Sequence, residues 1–200
     1  MNINEILQTA KEIGMWIHGK TNNISLPNDK RTVMGVALLQ QALDITDAIV
    51  ILFESNLPGP AWALARPMHE SYVRGVWLLE HASETAVEDF EKGKCPRFPQ
   101  LVDQIGDEPE TGGAFIKGMT DLNIKSFHDL THGGMEHISR RTTATAIEPN
   151  YSLEEVVRYL KVRNQYCLLI ACFILQLANG HEAMEALEKK RVEWKDALKL

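Results

Sequence analysis

Residues 50–61 read Val50-Ile51-Leu52-Phe53-Glu54-Ser55-Asn56-Leu57-Pro58-Gly59-Pro60-Ala61, an apolar run cut off by a tract that no helix interior tolerates. Proline removes a backbone donor and fixes φ, and glycine supplies the backbone angles of a tight turn, so Asn56 to Pro60 must redirect the chain. Upstream, Arg31 to Glu54 is apolar nearly all round, with Gln40, Asp44, Asp47 and Glu54 as its one polar stripe. Such a helix belongs in the middle of a bundle. Downstream, Pro60 opens a helix over Ala61 to His81. One face carries Ala61, Leu64, Ala65, Met68, Tyr72, Gly75, Val76 and Leu79, and the other Trp62, Arg66, His69, Glu70 and Trp77. Pro67, one turn inside, is placed to kink it. Two helices joined by a tight turn pack antiparallel, so the expected fold is all-α, a helical bundle with a central antiparallel helix hairpin.

The flanks also read as helices. Asn2 followed by Glu5 is a capping-box pattern, and Ile3, Ile6, Leu7, Ala10, Ile13 and Ile17 recur at helical spacing, predicting a first helix to about Gly19. Lys20 to Asp29 reads as a loop in which Asn28 or Asp29 caps the next helix. Beyond the hairpin, Thr85 with Glu88 predicts a short helix ending near Gly93, and Lys94 to Pro99 reads as irregular. Short helices are expected over Pro99 to Ile105, Gly113 to Leu122 and Ile124 to Thr131. Ser152 with Glu155 opens a helix to Ala178 that stops at Asn179-Gly180, and a charged last helix covers His181 to Leu198.

The chain has 200 residues, 44% of them hydrophobic, enough for the core of one domain over residues 1–200. A formal charge of −6 opposes a broad footprint for DNA or anionic membrane; a small local basic patch could still hold a nucleic acid, so RNA stays a possible partner that the net charge does not support. Cys95, Cys167 and Cys172 form no C-x-x-C pair, which fits a reducing compartment. Met1 to Ala10 lacks the cationic-then-apolar order of a signal peptide. The apolar segment Tyr166 to Ala178 falls short of the about 20 residues that a bilayer span needs. A cytoplasmic protein without a membrane partner is therefore expected. That same segment carries more apolar surface than one small bundle needs, which motivates the expectation of a homodimer.

The hairpin also places charges. If the turn centres on Pro58, facing positions have number sums near 116, so Val50 faces Arg66, Asp47 faces His69 and Asp44 lies near Arg74. Charges on helices this apolar are costly to bury unless paired, so Asp44, Asp47, Arg66, Glu70 and Arg74 read as a semi-buried polar network. The same pattern also arises if these groups only satisfy one another, and Arg66 with Glu70 is also a local i, i+4 pair. Read as a pocket, the network offers Arg66, Glu70, Arg74 and Asp47 to a small anionic ligand, because guanidinium presents a planar fork of donors.

A second constellation is His128-Asp129-Leu130-Thr131-His132-Gly133-Gly134. His128 and His132 share a face if the segment is helical, a spacing that suits two metal ligands. Asp129 stands where the zinc-protease pattern H-E-x-x-H has its glutamate, and no third ligand is identifiable. A paired structural role for the two histidines, or for His132 a place beside the arginines, are the alternatives. Gly133-Gly134 most simply ends this helix. No P-loop, G-x-S-x-G elbow, dinucleotide fingerprint or calcium loop occurs, and no cofactor is expected.

The run Trp62-Ala63-Leu64-Ala65-Arg66-Pro67-Met68-His69-Glu70-Ser71-Tyr72-Val73-Arg74-Gly75-Val76-Trp77-Leu78-Leu79, with Asp129 to Gly134, resembles an uncharacterised family of bacterial all-helical proteins that is similar to the HEPN-like superfamily. The resemblance spans roughly Arg31 to Arg141 and is most specific in R-P-x-x-E-S-Y. It implies a helical bundle that dimerises. Ribonucleases of that superfamily carry R-x4-6-H, which Arg74 and His81 match, although Gly75 stands where a polar residue usually follows the arginine. Three functional expectations result: a dimeric ligand- or partner-binding module using Arg66, Glu70, Arg74, His132 and Asp47; a metal-independent ribonuclease using Arg74 and His81; and a metal site on His128 and His132.

Overall fold

The computed structural model describes residues 2–106 and 112–200, and among them the regular structure is helical apart from one isolated antiparallel bridge between Thr142 and Ile147. The first helix, α1 (Ile3–Thr21), begins where Asn2 and Glu5 close their capping box, each accepting the other's amide at 2.9 Å. Its buried stripe is Ile6, Ala10, Ile13 and Ile17. The second, α2 (Lys30–Glu54), is capped by Asp29, whose carboxylate accepts from the Thr32 amide and hydroxyl.

After α2 the chain turns at Asn56, in the left-handed region at φ 57°. The single helix expected over Ala61 to His81 is two: α3 (Pro58–Ala63) and α4 (Ala65–Glu80), parted at Leu64. The prolines explain both differences. Pro58 and Pro60 sit in the first turn of α3, where their missing amides cost nothing. Pro67 cannot donate to the carbonyl four residues back, so Ala63 O is freed and instead accepts from the Thr131 hydroxyl at 3.1 Å.

The α2 and α4 helices pack against each other along most of their lengths. Their backbones approach at two glycines: a Cβ on Gly35 would lie 2.6 Å from Leu79 Cγ and 3.3 Å from Gly75 O, and one on Gly75 would lie 2.8 Å from Leu39 Cδ2 and 3.1 Å from Gly35 O. Residue 35 thus meets 79 and residue 39 meets 75, so the two helices run antiparallel.

The next helix is α5 (Glu84–Glu91), capped by Ser83 rather than by the expected Thr85. It is followed by α6 (Phe98–Ile105), which starts inside the tract read as irregular. The two helices expected over Gly113 to Thr131 are one, α7 (Gly113–His132). Asn123 does not break it, because its side-chain amide donates back to Met119 O at 3.1 Å and leaves the backbone ladder intact. A short α8 (Met135–Ser139), not expected from the sequence, leads towards α9 (Leu153–Leu177), which opens on the Ser152–Glu155 capping box. The last helix is again two, α10 (His181–Glu193) and α11 (Lys195–Leu198), parted at Trp194.

The apolar core is one contiguous cluster contributed by α1, α2, α4 and α9, with α6, α7 and α10 closing over it. Tyr166 to Ala178 lies within α9 and its C-cap, and Tyr166, Cys167, Ile170, Ala171, Ile174 and Leu175 are buried inside this chain. Most of its apolar surface is therefore packed inside this chain, while Leu169 and Cys172 are only partly buried. By length and composition α2 and α9 are both apolar enough to cross a membrane; 67% of the apolar window of α9 is buried within the protein, against 39% of that of α2.

Candidate functional site

The Pro67 break positions the site. Because Thr131 is tied to the carbonyl that Pro67 released, the C-terminal turn of α7 lies against the α3–α4 junction. This places His132 in one cleft with Arg66. A cleft of about 470 Å³ opens there, lined by Leu38 and Gln41 from α2, Arg66, Pro67, Glu70, Ser71 and Arg74 from α4, and Thr131 and His132 from α7.

At its centre Glu70 is held from both sides. Arg66 Nε donates to Oε1 at 2.7 Å and Arg74 Nη1 donates to Oε2 at 2.9 Å, each from one helical turn away. The three side chains are only 18–30% exposed. Burial by itself pushes the Glu70 carboxyl upward, but the hydrogen bonds and charges of the two guanidiniums outweigh it and hold the group below the ordinary carboxylate range. Two cations therefore face one anion. Each arginine gives one N–H to Glu70, and the rest of each planar fork has no partner among the described residues. The Ser71 hydroxyl and the Gln41 amide, also in the lining, make no side-chain hydrogen bond among the described residues either. The cleft is rich in donors and carries a net positive charge, the condition for receiving a carboxylate or phosphate group.

Of the residues singled out from sequence, Arg66, Glu70, Arg74 and His132 share this cleft, and Asp47 does not. Asp47 lies six residues past Gln41, a turn and two-thirds of helix, so it leaves α2 on another side. There its Oδ1 accepts from Arg163 Nη2 at 2.7 Å and its Oδ2 meets His18 Nε2 at 2.6 Å. The pairs expected between Asp47 and His69 and between Asp44 and Arg74 are not formed. His69 is fully buried, and Asp44 is exposed. The number sum itself is close to the expected one, near 114 by the two glycine contacts; the pairs fail because height along the hairpin does not say on which side of its helix a side chain leaves.

His69 is a structural hub. Its Nε2 lies 2.9 Å from Thr120 Oγ1 and its Nδ1 lies 2.7 Å from Tyr166 Oη. Thr120 donates its proton to Ile116 O, so it can only accept from the imidazole, which fixes the proton on Nε2 and makes the Tyr166 hydroxyl the donor to Nδ1. Burial disfavours a charged ring here and lowers its pKa to about 4, against a weaker opposing influence of Glu70.

The rival sites have less geometry behind them. His81 caps the C-terminus of α4, does not line the Arg74 cleft, and has its Nε2 buried with no partner among the described residues. His128 and His132 stand side by side on α7, ring centroids 4.7 Å apart, but among the described residues no group of three His, Cys, Asp or Glu is arranged to hold a metal. Asp129 plays a local part, in which its carboxylate approaches the Glu136 amide at 3.4 Å and occupies the space that a side chain on Gly134 would fill. Gly133, at φ 74°, ends α7 in the left-handed region.

Ser71, Gln41 and Leu38 were missed in the sequence. They did carry a signal, since Ser71 lies between Pro67 and Arg74 on one face of α4, and Leu38 and Gln41 are three apart on α2. Only the register of α2 on α4 shows that these two faces meet.

Residues 39–200 match the model of a family described as a family of unknown function (DUF6988). No curated protein and no solved structure is matched.

Proposed function

We infer that this chain, which belongs to the DUF6988 family of unknown function, is a binding module for a small anion, held in the cleft between α2, α4 and the end of α7. The observation that carries this reading is the pair Arg66 and Arg74, half-buried on either side of Glu70, with most of both guanidinium forks unengaged among the described residues. Glu70 sets their direction by holding one N–H of each. His132 and Ser71 add donors at the edge, and Leu38 and Pro67 supply apolar wall. A carboxylate or phosphate group is the class of ligand that such a fork recognises.

Titration calorimetry with acetate and with inorganic phosphate, at low ionic strength, tests this reading. Losing one charge-assisted hydrogen-bonding partner costs about 1.5–3 kcal/mol, so Arg66→Ala and Arg74→Ala should each weaken binding about tenfold or more. Absence of heat with both anions for the folded wild-type protein overturns it. The ribonuclease alternative makes a separate demand, cleavage of RNA lost in Arg74→Ala and in His81→Ala alike, and the placement of His81 outside the cleft gives it no geometric support.

A further inference from the structure

A second groove lies where α9, α10 and α11 meet the start of α7, at the opposite end of α7 from His132. It is about 490 Å³, within the about 300–1,000 Å³ typical of small-ligand sites. Its floor is apolar: Leu168 and Leu169 of α9, Leu198 of α11, and Phe115 of α7. Its cationic lining comes from α10, α11 and the chain just after: Arg191, Lys195 and Lys199, with no acidic residue among the described groups that line the groove. Arg191 is engaged by Glu188, whereas the Lys195 and Lys199 ammonium groups have no partner among the described residues. Gln165 donates its amide to Leu198 O at 2.8 Å, and its Oε1 is buried in the same wall with no partner among the described residues. The groove is thus neither a plain hydrocarbon slot nor a solvated charge patch.

We propose that this groove binds an amphipathic anion, an acyl chain lying on Phe115, Leu168, Leu169 and Leu198 with its acidic head between Lys195 and Lys199. An apolar chain removes that floor from water, and the two unpaired ammonium groups receive the head. An apolar lining combined with cationic groups is what selects an anionic amphiphile over a cationic one. The site is independent of the Arg66–Arg74 cleft, with which it shares no residue.

Cys172 lines the groove and serves as a built-in reporter. Cys95 is exposed and Cys167 is buried, so Cys95→Ser protein leaves Cys172 as the accessible thiol. Burial, then the charge of Glu188, pushes the Cys172 thiol up, so alkylation by N-ethylmaleimide is slow enough to time by intact mass. Sodium decanoate, kept below its micelle concentration, should slow that alkylation about tenfold at ten times its Kd. Decyltrimethylammonium should not slow it. Lys195→Glu combined with Lys199→Glu should abolish the decanoate effect with the melting temperature unchanged. Calorimetric titration with decanoate reads the same binding without the thiol. No heat and no slowing with decanoate overturns the proposal, and so does equal slowing by both amphiphiles, which would mark a groove without charge selection.

Discussion

Arg163, wholly shut off from solvent in the middle of α9, donates from Nη2 to Asp47 Oδ1 at 2.7 Å, across to α2. The rest of its fork is also engaged: Nε on Thr46 O at 3.0 Å, and Nη1 on Ala10 O at 2.8 Å and on Asn164 Oδ1 at 3.1 Å. One side chain thereby ties α1, α2 and α9 together. Gly14 makes room for it, since a Cβ there would lie 2.7 Å from Asp47 Oδ1 and 3.2 Å from Arg163 Nη2.

Asp47→Ala leaves that guanidinium buried without its counter-charge. Breaking a fully buried pair costs about 3–5 kcal/mol. Asp47 is itself 36% exposed, so water can enter the vacated place and the expected loss is nearer about 2–3 kcal/mol. Arg163→Met, which removes the buried charge and keeps apolar volume, should cost less than Asp47→Ala. Urea unfolding of the two variants decides; the reverse order would mean that the carbonyl bonds of Arg163, not its charge balance, hold the three helices.

Gly35→Ala and Gly75→Ala should each destabilise the protein. Overpacking costs about 1–3 kcal/mol, and it exceeds the about 1 kcal/mol that alanine gains over glycine as a helix former. Gly19 and Gly118 are helical glycines at which an added methyl would meet nothing within 4 Å, so Gly19→Ala and Gly118→Ala should stabilise by up to about 1 kcal/mol. Melting temperatures of the four variants, compared under one condition, check both signs.

His69 makes stability depend on pH in a defined window. Its folded pKa is lowered to about 4 from 6.5, so the unfolded chain binds the proton more readily. Stability from the neutral ring is full above about 6.5 and is lost as the pH falls towards 4, by about 3 kcal/mol at about 1.4 kcal/mol per unit. His69→Gln, which keeps polar groups near Tyr166 and Thr120, should flatten the stability curve between pH 6.5 and 4 although its stability at pH 7 is lower. Denaturant midpoints across that range measure the difference.

Glu70→Gln tests the role of the central carboxylate in the anion cleft. Removing its charge leaves Arg66 and Arg74 without their counter-ion, so phosphate and acetate should bind more tightly, by about tenfold, the equivalent of about 1.4 kcal/mol. The carboxyl is held below its ordinary range, so its stabilising contribution is present above that range and lost as the pH falls through the lowered value. The variant should therefore lose that part of the acid sensitivity. Weaker anion binding in Glu70→Gln would show that Glu70 matters through orientation of the arginines more than through competition for them.

Much of the helical pattern was legible locally. The Asn2–Glu5 and Ser152–Glu155 boxes, the Asp29 cap and the Asn56–Pro60 turn depend on neighbours a few residues apart, and the structure has each of them. The misses have local chemistry that points two ways. Asn123 can break a helix or bond back within it, and Pro67 can kink a helix or divide it from its first turns. At Pro67 the division goes with Thr131, a residue far along the chain, which takes the carbonyl that Pro67 freed.

The sequence by itself determined the all-helical fold class and that Arg66, Glu70 and Arg74 stand on one face of one helix, because helix period and capping are properties of short stretches of chain. The tertiary structure decided which polar groups meet. It sent Asp47 to Arg163 and His18, buried His69 between Tyr166 and Thr120, and brought His132 and Gln41 to the arginines. The direction in which a side chain leaves its helix changes by about 100° with each residue, so the packing register, set by the glycine contacts of α2 with α4 and by the inserted α3, selects its partner.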